Sequence, residues 1–183
     1  MVTYNVLFDL YKKDQINTPK RIVAALEYLR DTRADIIGLE EVTQRFLIQL
    51  LREKWVQQEY YLSDSTSGST VKPYGQLLLS RIPFTQYVVP QEILFNFSLS
   101  PPTTPLPLYS IRLLQHKFSK MKTVIIGQFL VNDEALFVPV VHLTSDKMNT
   151  NTNIKRKQQL DVIFEYCCPP SNPYKLSSSL LSF

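Results

Sequence analysis

The sequence predicts an α/β (α+β) fold, and three observations predict it. Residues 2–8 and 34–42 are apolar runs rich in β-formers, and each is followed by a helical pattern, a β-α-β-α opening. Between residues 60 and 143 short strand-like runs succeed one another with turn signals between them. Helical spacing returns over residues 151–166.

The first run, residues 2–8, is almost continuously apolar, as a buried strand is. Asn17-Thr18-Pro19 then starts a helix over residues 19–32, with Thr18 as cap, Pro19 at the first helical position and Ile22, Leu26 and Leu29 on one face. The second apolar run ends in two acids, Glu40 and Glu41. Thr43 caps a further helix whose inward face is Phe46, Leu47, Leu50 and Leu51. Short connections of this kind place the two strands side by side with helices against them. Strands are expected next at 60–62, 76–80, 85–89, 109–114, 123–131 and 135–143, the last two joined by a hairpin at Val131-Asn132-Asp133-Glu134. Residues 63–72, rich in Ser and Thr, and residues 98–107, with four prolines, read as loops. Ile154, Leu160 and Ile163 give the last helix its period. From Cys167 the prolines and a serine cluster predict a disordered or non-native tail over 167–183, so residues 1–166 make the domain. There are no internal repeats.

The 183 residues suffice for one domain, and 44% apolar with 20% charged residues is a globular composition. The excess of 20 Lys and Arg over 16 Asp and Glu, a net charge of +4, suits a polyanionic partner without requiring one. No apolar run reaches the roughly 18 residues of a membrane span. Asn5 and Asp9 interrupt the N-terminal apolar run, unlike a signal peptide. The two cysteines, Cys167 and Cys168, are adjacent, which suits a reducing, intracellular compartment, cytoplasmic or nuclear. Two histidines, His116 and His142, argue against a zinc site built on several His or Cys ligands. A metal here takes oxygen ligands, which favours Mg²⁺ or Mn²⁺.

Several polar residues sit where strands end. Asn5 lies inside an apolar strand, where Asn is disfavoured and a buried amide needs partners. Glu40 and Glu41 close the second strand, at the end where open α/β sheets place ligands. Alternation lets one of the two face a given cleft. Ser80-Arg81-Ile82-Pro83 ends a later strand, where Arg81 is equally a phosphate contact or an exposed turn residue. His142 ends another. Lys155, Arg156 and Lys157 read as a solvated basic helix face.

Taken in order, Thr3-Tyr4-Asn5-Val6-Leu7, Ile36-Ile37-Gly38-Leu39-Glu40-Glu41-Val42, Tyr74-Gly75-Gln76-Leu77-Leu78-Leu79-Ser80-Arg81-Ile82-Pro83 and Val141-His142-Leu143-Thr144-Ser145 form a series. Over residues 2–165 it resembles the endonuclease/exonuclease/phosphatase superfamily, which holds exonuclease-III-like nucleases, tyrosyl-DNA phosphodiesterase 2, deadenylases, inositol polyphosphate 5-phosphatases and neutral sphingomyelinases. The resemblance implies a two-layer β-sandwich flanked by helices, with its second half incomplete here. It implies a metal-dependent phosphodiesterase or phosphatase acting on phosphate esters, nucleic acid among them, with Mg²⁺ or Mn²⁺ as cofactor. By the same resemblance Glu41 is the metal ligand, facing in while Glu40 faces away. Asn5 and His142 are catalytic, and Tyr74, Ser80 and Arg81 contact substrate. Glu40 stands where the family usually has Gln, and Arg156 and Gln159 match a mainly structural helix motif. The family's Gly-Asp-x-Asn and Ser-Asp-His strings do not occur in the 183 residues, and no His follows His142. That departure implies a truncated, inactive fragment as the alternative. A noncatalytic nucleic-acid or partner-binding module ranks behind both, because the tyrosines are scattered. Substrate and oligomeric state stay open.

Overall fold

The structure is a computed structural model that describes residues 1–7, 16–64, 71–82, 84–86, 111–119, 122–131, 134–143, 145 and 151–168. Its elements are β1 (Val2–Asn5), α1 (Thr18–Thr32), β2 (Ile36–Val42), α2 (Gln44–Leu50), α3 (Lys54–Glu59), β3 (Tyr61–Leu62), β4 (Gly75–Ser80), β5 (Phe84–Gln86), β6 (Ile111–Ser119), β7 (Lys122–Val131), β8 (Glu134–Val141) and α4 (Asn153–Cys167). They form a mixed α/β fold of two four-stranded sheets, ordered β1-β2-β4-β3 and β5-β6-β7-β8. β1 runs parallel to β2, in register Asn5 to Glu40, while β2 and β4 are antiparallel.

Burial assigns the layers. Alternate residues of β2 and β4 (Ile37, Leu39, Leu77 and Leu79) pack with Leu26 and Leu29 of α1, Leu47 and Leu50 of α2 and Val56 of α3. The intervening residues Ile36 and Leu78 pack against Ile125, Phe129, Val138 and Val140 of the second sheet. The outer face of that sheet, through Val124 and Ile126, meets Ile163 and Cys167 of α4. Helices thus cover both outer faces of a two-sheet sandwich. Each fully buried aliphatic side chain contributes about 1.5–3 kcal/mol. Two glycines let the sheets approach. A Cβ on Gly38 would stand 2.9 Å from Val140 Cγ2, and one on Gly127 would stand 2.9 Å from Leu78 Cδ2.

Local chemistry sets the ends. Asn17, not Thr18, caps α1, accepting from the Lys20 N–H at 3.3 Å, so the cap and the helix start each lie one residue upstream of expectation. Thr43 caps α2 as expected, accepting from the Phe46 N–H at 3.4 Å. β1 stops at Asn5 rather than running to residue 8, because Leu7 has a left-handed φ of 57°. α3 is not expected from the sequence. It is a six-residue helix that buries Val56 and no other residue, too short for a period to show. α4 extends one residue past the expected domain boundary and buries Cys167. The expected loop at 98–107 lies outside the described residues, as does the tail from residue 169.

Candidate active site

The C-terminal end of β2 departs from a regular strand. Leu39 pairs with Leu77 and Val42 with Gly75, so Glu40 and Glu41 together stand opposite Gln76 in a β-bulge. Glu41 has φ 57° there. Strict alternation from Ile37 and Leu39 would turn Glu41 toward the helices. The extra residue returns Val42 to the helix side and frees Glu41 from that constraint. Its carboxylate meets the other sheet: His142 Nε2 lies 3.3 Å from Glu41 Oε1, with side-chain exposures of 17% and 14%. His142 follows β8 directly, two residues past the Val140 that packs on Gly38. The close approach of the sheets therefore sets this pair.

Tyr74, just before β4, places its ring 6.4 Å from the His142 ring, tilted by 51°. Asn5 ends β1 in register with Glu40, at the same end of the sheet. It is exposed rather than buried, and its Oδ1 accepts the Leu7 N–H at 2.8 Å. Glu40 does not face away as expected. Its Oε1 accepts from Thr3 Oγ1 at 3.2 Å, and Thr3 pairs with Gly38, whose open side meets the second sheet. Alternation from Ile36 and Gly38 already puts Glu40 on the sandwich side, and the bulge adds Glu41 to it.

Ser80 and Arg81 sit elsewhere. Ser80 pairs with Ile36, at the opposite end of β2, roughly 16 Å from Glu41 at about 3.3 Å per residue. Ser80 is buried, and its Oγ accepts the Ile82 N–H at 2.9 Å. Arg81 donates to Glu59 Oε2 at 2.5 Å and to the Arg33 carbonyl at 3.2 Å, lies 3.7 Å from Asp35 Oδ1, and stacks 5.3 Å above the Tyr60 ring. Burial raises the Tyr60 phenol above its usual pKa against the pull of Arg81, which keeps it a donor to the Ala34 carbonyl. These contacts tie β4 to the start of β2 and to α3. On α4, Arg156 donates to Asn153 Oδ1 at 2.6 Å, and Gln159 is buried.

Sequence reasoning misses Gln76 as a site residue. It is buried, on the same face as Leu78, directly across from the bulge. Its signal is an amide in an otherwise apolar Gly-Gln-Leu-Leu-Leu run.

The donor set can be weighed against a metal. Among the described residues no three His, Cys, Asp or Glu side chains stand close enough to form a closed cage. Mg²⁺ asks for less, one or two carboxylates plus water and substrate oxygens. A half-buried Glu41 with Glu40 beside it fits that requirement. Among the described residues no helix is long and apolar enough to cross a membrane.

Residues 2–173 match a family model described as the Endonuclease/Exonuclease/phosphatase family. No curated protein matches the chain. Among solved structures, humanized D. rerio TDP2 carrying 14 mutations is similar, with TM-score 0.57 and 15% identity over 92% of this chain and 56% of that one. D. rerio TDP2 complexed with a single strand DNA product gives 0.54 and 16%, over 92% and 55%. A β-hairpin deletion mutant of beta toxin from Staphylococcus aureus gives 0.58 and 18%, over 94% and 61%. At such identities the likeness is one of fold. The chain spans between 55% and 61% of the length of these three structures.

Proposed function

Because this chain belongs to the endonuclease/exonuclease/phosphatase family, we propose that it carries the metal-holding and phosphate-holding part of a phosphodiesterase site. The observation that carries the reading is the Glu41–His142 pair, built across two sheets at a strained bulge. Backbone strain of that kind costs about 1–3 kcal/mol and persists where the surroundings impose it.

Glu41 holds a divalent cation, Mg²⁺ or Mn²⁺, with Glu40 adding negative potential beside it. When bound, the cation polarises the phosphorus and offsets charge that develops on the phosphoryl oxygens. His142 Nε2, 3.3 Å from Glu41 Oε1, stands beside that carboxylate and donates its N–H to a phosphoryl oxygen. Asn5 commits its Oδ1 to Leu7, so its Nδ2 hydrogens are offered to the same phosphate. Donors fixed before the reaction stabilise the pentavalent state without reorganising. Tyr74 lines the substrate side of His142. Ser80 and Arg81 have no part in this site and serve the fold. A nucleic-acid phosphodiester is the favoured substrate class, supported by the DNA-bound D. rerio TDP2 and by the net charge of +4.

Water activation needs a further group. The histidines of these 183 residues are His116 and His142, and His142 is engaged with Glu41. A general base contributes about 10²–10⁴-fold. The 183-residue chain alone therefore binds metal and phosphate and turns over slowly. The test is Mg²⁺-dependent hydrolysis of bis-p-nitrophenyl phosphate and of a labelled oligonucleotide, with Glu41→Gln as the blank. The expected rate lies close to the blank. Turnover well above it would show that another residue of this chain supplies the base.

A further inference from the structure

Asn5 ends β1, and the chain turns directly after it. Leu7 has φ 57°, and its N–H donates to Asn5 Oδ1 at 2.8 Å. The Val6 N–H donates to the Glu40 carbonyl at 3.0 Å, which joins the turn to β2 one residue before Glu41. Both carbonyls of the turn meet one guanidinium, with Arg21 Nη2 donating to Val6 O at 2.6 Å and to Leu7 O at 3.3 Å.

Arg21 stands in the first turn of α1, where a cation runs against the helix dipole and where no acidic residue offsets it. Helix propensity does not account for its place, whereas the two carbonyls do. A planar guanidinium presents several donors in a fixed fork, and an ammonium does not.

We infer that Arg21 is a positioning residue for the Asn5 amide. By holding the Val6 and Leu7 carbonyls it keeps the Leu7 N–H on Oδ1, and so leaves the Nδ2 hydrogens as the face that Asn5 offers. An Asn side chain can present an acceptor or a donor, and only its oxygen can accept the Leu7 N–H. The inference rests on the reading of Asn5 as a phosphate donor, which gives that orientation its use.

The test uses Arg21→Ala, Arg21→Lys, Asn5→Ala and the Arg21→Ala/Asn5→Ala double variant of the whole chain. In ¹⁵N-labelled protein, amide exchange is measured at Leu7 and, as fold controls, at Leu39 and Leu78. Affinity for inorganic phosphate is measured with Mg²⁺ present. Arg21→Ala should speed Leu7 exchange by roughly tenfold, the size of one charge-assisted hydrogen bond. Arg21→Lys should recover part of it, with Leu39 and Leu78 unmoved. Phosphate affinity should fall in Arg21→Ala and in Asn5→Ala, and no further in the double variant. Unchanged Leu7 exchange, additive losses of phosphate affinity, or faster exchange at Leu39 and Leu78 would overturn the inference, the last by making Arg21 a residue of the fold. Failure of the unsubstituted chain to bind phosphate would instead sink the proposed function, and Leu7 exchange would still decide whether Arg21 holds the turn.

Discussion

Glu41 occupies a backbone conformation that glycine tolerates and glutamate does not favour, with φ 57°. A non-glycine residue pays about 1–2 kcal/mol there, and glycine loses about 0.5–1 kcal/mol through its freer unfolded chain. Glu41→Gly should therefore keep the urea unfolding free energy within about 1 kcal/mol of the unsubstituted chain while removing the carboxylate. Glu41→Val, β-branched at the same φ, should destabilise by about 1–2 kcal/mol or more. Equal tolerance of Gly and Val would mean that the bulge is not strained. A smaller residue-scale prediction concerns Cys167, whose thiol burial pushes up to about 12, with the neighbouring Cys168 adding to it. The folded value exceeds the unfolded one, so the neutral thiol's contribution is complete below the unfolded value of about 8.5 and declines as pH rises toward 12. Iodoacetamide at pH 8 should label exposed Cys168 at once and Cys167 only on unfolding. Prompt labelling of both would show that α4 does not seat Cys167 in the core.

At the scale of elements, the meeting of β2 with β8 fixes the site. Gly38 leaves no room for a Cβ beside Val140, and His142 lies two residues beyond that contact. Gly38→Val should cost about 1–3 kcal/mol through overpacking. It should also weaken divalent-metal binding, because it pushes apart the two strands that carry Glu41 and His142. Metal affinity that survives a destabilised Gly38→Val would place the metal elsewhere. The elements differ in how far the sequence reveals them. β2 and β4 are legible from their apolar stretches, Ile36 to Leu39 and Leu77 to Leu79, which are buried on both faces, and α1 is legible from its period. The bulge is not, because Leu-Glu-Glu-Val reads as plain alternation, and its extra residue shows only in the pairing with β4. Alternation allows one acid per face, so taking Glu41 inward sends Glu40 outward, whereas the bulge adds Glu41 to the side that Glu40 already holds. The motif string Tyr74 to Arg81 appears as one unit in sequence, yet an extended strand separates its ends, so Tyr74 reaches the site and Arg81 does not.

At the scale of the molecule, two sheets and two helical layers bring Asn5, Glu41, Tyr74 and His142 to one end of the sandwich. Arg81, Glu59, Asp35 and Tyr60 brace the other end. Stability and the proposed chemistry are thus divided between opposite ends of the same strands, and substitutions at Arg81 should leave metal binding alone. The central claim is that Glu41 is the carboxylate that holds the metal. Isothermal titration with Mg²⁺ on the unsubstituted chain, Glu41→Gln and Glu40→Gln tests it most directly. The account predicts weak binding that Glu41→Gln abolishes and Glu40→Gln retains. Undiminished binding in Glu41→Gln, or its loss in Glu40→Gln alone, would contradict the account.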